Sequence, residues 1–165
     1  MSLRRIKNMT IATLAAAVLA VATLWPPLAM ATSTFRVDDS GSQVLGNTVQ
    51  MKWDSVAPQR GERPTVSGAI TVLVRLDLAQ WQGSNARIYM TLPAQAAGPV
   101  TATWTTQGRL LPGILRAGER ALVYAGVMPT ALLEDTMRLV IQADGQKLVR
   151  TEQLNFAFEI DLEGL

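Results

Sequence analysis

The stretch Val66-Ser67-Gly68-Ala69-Ile70-Thr71-Val72-Leu73-Val74-Arg75-Leu76-Asp77-Leu78 decides the fold class. Ile70, Val72, Val74, Leu76 and Leu78 fall on one side, while Thr71, Arg75 and Asp77 point the other way. A period of two belongs to an extended strand, whose successive side chains leave opposite faces of the sheet. The stretch therefore reads as a long strand with one buried and one wetter face.

The same period recurs downstream. Ala86, Ile88, Met90 and Leu92 alternate with Arg87, Tyr89 and Thr91, and Val100, Ala102 and Trp104 alternate with Thr101, Thr103 and Thr105. Met137, Leu139, Ile141 and Ala143 alternate with Arg138, Val140 and Gln142. In the last run Leu154, Phe156, Phe158, Ile160 and Leu162 oppose Asn155, Ala157, Glu159, Asp161 and Glu163. Shorter strands are expected at Thr48–Trp53, near Leu110–Ala117 and at Arg120–Tyr124. Turn chemistry separates the runs: Gln82-Gly83-Ser84-Asn85, Ala97-Gly98-Pro99, Gln107-Gly108 and Asp144-Gly145, the last predicting a tight hairpin. Pro58–Pro64 reads as a loop, and Pro129–Asp135 as a single helical turn entered at proline. Short strands at this spacing predict an all-β, antiparallel two-sheet sandwich of immunoglobulin-like type, with a small closed β-barrel as the alternative.

The first thirty-one residues differ in kind. Arg4, Arg5 and Lys7 precede an apolar run from Ile11 to Trp25, followed by Pro26-Pro27 and by Ala29-Met30-Ala31. A basic start, a short apolar middle and an A-x-A end form a secretory signal, with cleavage expected before Thr32. Residues 32–46 then read as a flexible polar leader or a strand that needs a partner, and 47–165 as the sandwich. The expected location is the periplasm or cell surface, with the membrane met only through the signal before cleavage.

Composition narrows the chemistry. The chain's formal net charge of +2 includes the signal; without it 12 basic residues face 13 acidic ones, a net of −1. Binding to a phosphate backbone draws on concentrated basic charge, so no nucleic-acid partner is expected. The chain has no cysteine and no histidine. That removes thiol and Ser–His–Asp schemes and the usual zinc ligands, and no cofactor, metal or catalytic residue is expected. Glu159, Asp161 and Glu163 share a face of the last run, which two carboxylates of a glycosidase would need. Opposite them lies an apolar face, so they read as the wet side of a strand. Asp38-Asp39-Ser40-Gly41-Ser42 lacks the closing glutamate of a calcium loop and reads as part of the leader.

Four residues are candidate contacts. Trp81 sits in a turn, where its ring either stacks on a ligand or plugs the end of the sandwich. Tyr89 faces away from Ile88 and Met90. Phe35 and Val37 are the apolar members of the leader's alternating start. Two function classes follow: an envelope protein that contacts other envelope proteins or itself, and a monomeric carbohydrate- or small-ligand-binding module centred on Trp81 and Tyr89. A carboxylate-dependent hydrolase ranks last.

Two partial resemblances accompany this reading. Glu134-Asp135-Thr136 resembles the corner before the penultimate strand of immunoglobulin-like domains, without that corner's tyrosine and cysteine. An exported, cysteine-free sandwich with a polar leader is similar in outline to bacterial pilus subunits assembled by donor-strand exchange, in which each leader completes its neighbour's sheet. The leader departs from that pattern by offering only Phe35 and Val37 before Asp38-Asp39-Ser40-Gly41. No family is assigned on these grounds.

Overall fold

A computed structural model describes residues 33–46, 49–55, 60–61, 63–95, 98–147 and 153–162. Its elements are β1 (Ser33–Arg36), β2 (Gln43–Leu45), β3 (Lys52–Trp53), β4 (Thr65–Asp77), β5 (Asn85–Thr91), β6 (Val100–Thr106), β7 (Gly113–Arg116), β8 (Arg120–Val127), β9 (Leu132–Asp144) and β10 (Ala157–Leu162), with one 3-10 turn at Ala79–Trp81. Two antiparallel sheets pack face to face in the expected sandwich. One has the order β1-β10-β5-β8; the other runs β2-β4-β9-β6-β7, with β3 also on β4. The two sheets remain separate, so the barrel alternative does not form. The expected signal, residues 1–31, lies outside the described residues, as do parts of the 58–64 loop. No helix among the described residues is long and apolar enough to cross a membrane.

The long alternating run forms β4 and pairs with β9 over thirteen residues, from Thr65 opposite Asp144 to Asp77 opposite Leu132. Its inward side chains meet those of the other sheet: Val74, Leu76, Leu133, Met137 and Leu139 face Ile88, Met90, Phe158 and Ile160, all nearly inaccessible to water. Trp104 is a large member of this core. Its indole Nε1–H donates to the Leu111 carbonyl at 2.9 Å, and its ring covers Gly113, where an added Cβ would lie 2.8 Å from the ring. A side chain at 113 would displace the indole, so glycine is required there by close approach.

Three expectations are corrected. Pro129–Asp135 is not a helical turn, because Leu132–Asp135 is needed to complete the ladder with β4, and Leu78 N–H donates to the Ala131 carbonyl at 2.7 Å. Glu134-Asp135-Thr136 consequently lies inside the penultimate strand and not at a corner before it. Asp144-Gly145 does form a turn, closed by Lys147 N–H on the Asp144 carbonyl at 3.1 Å. It does not close a hairpin, because β4 and β6 already flank β9 and the chain must cross to the other sheet.

Asp135 has a structural use that its exposed-looking neighbours hide. It is buried, and its carboxylate accepts backbone N–H groups of Gln107 at 3.2 Å, Gly108 at 2.7 Å and Leu110 at 2.8 Å. It thereby shapes the connection from β6 to β7. Replacing it with alanine leaves the Gly108 and Leu110 N–H groups without their acceptor, while Gln107 N–H keeps the Thr136 carbonyl at 3.1 Å, so Asp135→Ala is expected to lower stability by about 3 kcal/mol in urea unfolding.

Candidate functional site: the N-terminal strand and its slot

The neighbour orders β4-β9-β6 and β5-β10 reproduce the B-E-D and C-F arrangements of immunoglobulin-like sandwiches. Strand G stands beside F in that arrangement. Here the place beside β10 is filled by β1, antiparallel, with Ser33 opposite Leu162, Phe35 opposite Ile160 and Arg36 opposite Glu159. Val37 extends the ladder through its N–H to the Phe158 carbonyl at 2.9 Å. Residues 33–46, read as a polar leader or as a strand needing a partner, thus find that partner within the chain.

Strand alternation gives β1 two distinct faces. Ser33, Phe35 and Val37 turn toward the core, with Val37 fully buried and Phe35 44% exposed at the rim. The Phe35 and Trp81 rings meet there, centroids 6.1 Å apart and tilted by 42°. Trp81 is only 5% exposed, which matches its reading as a plug for the sandwich end. Beyond Val37 the chain crosses to the other sheet: Asp38 bridges to Asp77, Ser40 N–H caps the Asp38 carboxylate at 2.9 Å, and β2 joins β4. Residues 33–45 therefore lie along both sheet edges on one side of the sandwich and seal the seam between them.

The outer face of β1 meets a polar cluster that local patterning did not reveal. Thr34 Oγ1–H donates to Asp161 Oδ1 at 2.6 Å. Arg120, from β8, reaches over β5 and forms a fork on the same carboxylate, with Nη1–H to Oδ1 at 3.2 Å and Nη2–H to Oδ2 at 2.9 Å. Its guanidinium lies 4.2 Å from the centroid of the Tyr89 ring, a cation–π distance, and Glu159 stands 3.9 Å from Nη1. Tyr89 and Trp81 thus occupy opposite sides of this sheet and do not make one aromatic platform. Asp161 points outward, as expected, but it is only 5% exposed because Thr34 and Arg120 cover it. Alternation alone assigns it to a wet face because the partners that cover it are remote in sequence.

Charge in this cluster is held in place. Burial pushes the Asp161 carboxyl up, but the Thr34 hydroxyl and the Arg120 guanidinium outweigh it and hold the group below its ordinary 3.8. The Asp161 hydrogen bonds in turn raise the Arg120 pKa. A groove beside these residues runs along β1, lined by Thr34, Phe35, Arg36, Thr91, Phe156 and Glu159.

A carboxylate with a depressed folded-state pKa stabilises the fold above its unfolded pKa and loses that contribution as pH falls through the folded value. Wild type is therefore expected to exceed Asp161→Asn in stability by about 1–2 kcal/mol at pH 6. The difference should close as pH falls below 3.8. Urea unfolding of both proteins from pH 7 to pH 2 measures it.

Comparison of the chain with family models, curated proteins and solved structures finds no match.

Proposed function

We propose that this chain is an exported, non-enzymatic domain of the bacterial envelope or cell surface, an assembly subunit whose N-terminal strand completes the sandwich of a second copy. The observation that carries the reading is the filling of the place beside β10. A strand of four residues, distant in sequence from its neighbour, occupies the position that strand G holds in related architectures. Backbone ladder bonds supply affinity in strand addition, and pockets for alternate side chains supply specificity. Both are present: the edge of β10 bonds β1, and Phe35 and Val37 seat on its inward side.

Removing β1 would uncover a strand edge together with Ile160 and Trp81, an arrangement that favours immediate pairing with another strand. The equivalent segment of another copy is self-complementary to that slot by construction. The turn from Asp38 to Ser42, which contains Gly41, is the hinge such an exchange requires. The signal-like residues 1–31 supply the route to the envelope.

The absence of native cysteine makes a direct test possible. Ser33 and Leu162 stand directly opposite in the ladder, where the Cα separation of facing residues lies in the range that a disulfide accepts. In Ser33→Cys/Leu162→Cys protein recovered from the envelope fraction, exchange predicts an oxidised ladder of covalent multimers on a non-reducing gel. Material trapped entirely as intrachain-linked monomer overturns the reading.

A further inference from the structure

We propose that Asp161 is the specificity-determining residue of the slot beside β10, reading the entering strand through a neutral hydroxyl on that strand's outward face. The proposal rests on the strand-donation reading and concerns which strand the slot accepts: the Thr34-Phe35-Arg36-Val37 segment of a second copy.

The reader is built by the sandwich and not by β1. Arg120 belongs to β8, on the far side of β5, and is braced over Tyr89 while it forks onto Asp161. With β1 absent, the carboxylate keeps its cation and turns remaining acceptor capacity of Oδ1 toward the vacated edge. Thr34 supplies a hydrogen bond there without adding charge. The other side-chain classes fit worse. A carboxylate at this position would face Asp161 and Glu159. A cation would join Arg120 and also Arg87, which stands directly opposite Asp161 on β5. An apolar side chain would cover the buried oxygen without donating to it, which costs more than a hydrogen bond simply exchanged with water.

The two faces of the slot together fix the register. Slipping the strand by one residue would turn its apolar set outward. Slipping by two in one direction would set Arg36 opposite Asp161, Val37 in the place of Phe35 and Asp39 in the fully buried place of Val37. Slipping by two in the other direction would retain a hydroxyl, from Thr32, but would put Ser33 where the Phe35 ring meets Trp81. Only the observed register satisfies the inner and the outer face.

The test uses full chains carrying Thr34→Val or Thr34→Ser, with hydrogen exchange of the Val37 amide, whose ladder bond reports on β1. Thr34→Val, nearly isosteric, is expected to speed exchange about tenfold, and Thr34→Ser less than about threefold. In parallel, wild-type protein is offered a fluorescent peptide spanning residues 32–39, and the same peptide with Thr34→Val or Phe35→Ala. The native peptide should be captured about tenfold more tightly than either variant. If Thr34→Val matches the native residue in both assays, the proposal is overturned, even where Phe35→Ala weakens capture and strand donation stands. If no peptide is captured while Thr34→Val still loosens Val37, donation fails and the proposal falls with it, Asp161 then serving only to hold the chain's own strand.

Discussion

Everything in this sandwich is hung on the ladder between β4 and β9. Thirteen consecutive residue pairs, all antiparallel and unbroken by a bulge, make these two strands the spine of the larger sheet. Their inward side chains form one wall of the core, and their ends set where neighbouring elements begin. At the Asp77–Leu132 end the chain turns through Ala79–Trp81 into the second sheet, so the Trp81 indole lies at the mouth of the interlayer space. Gly68 lets the segment before β3 pass close by: an added Cβ would collide with the Val49 side chain and lie 2.9 Å from the Gln50 carbonyl oxygen. A side chain there would push that segment off the sheet.

Against this spine, the N-terminal segment is lightly held. On the core side its apolar contribution consists of Val37, fully buried, and Phe35, half in water. At about 1.5–3 kcal/mol for a fully buried large apolar side chain, this is a small fraction of the core's total. The outer face adds one hydroxyl–carboxylate bond to a carboxylate already neutralised by Arg120. The strand is thus fixed in geometry by two faces yet modest in energy, which is the combination expected of an element that exchanges. Stable core strands and exchangeable edge strands belong to different ends of the local stability range.

Much of the architecture was legible because alternation is a local signal. The run at Val66–Leu78 could be assigned to one buried and one wetter face without any knowledge of its neighbours, and the same held for β5, β6, β9 and β10. Pairing is not local. Asp144-Gly145 has hairpin chemistry, but β9 is flanked on both sides, so the turn serves a crossing between sheets. Pro129–Asp135 has the composition of a helical turn, overridden by the demand of β4 for a partner along its full length. The site followed the same division. Phe35, Val37 and Trp81 were visible as apolar or aromatic residues in unusual places, and the structure brings Phe35 and Trp81 into contact. Asp161 and Arg120 were not visible, because a carboxylate on the outward face of a strand looks solvated until the remote residues that cover it are known.

The pairing of β1 with β10 also orders events in time. Thr34 and Asp161 are 127 positions apart, so β1 has no neighbour to pair with until the chain beyond residue 157 is present. Contacts of such separation carry a large loop-closure entropy and form late. During synthesis from the N-terminus, β1 emerges long before its slot exists. For that interval its backbone hydrogen-bonding groups stay open to any other strand edge they meet.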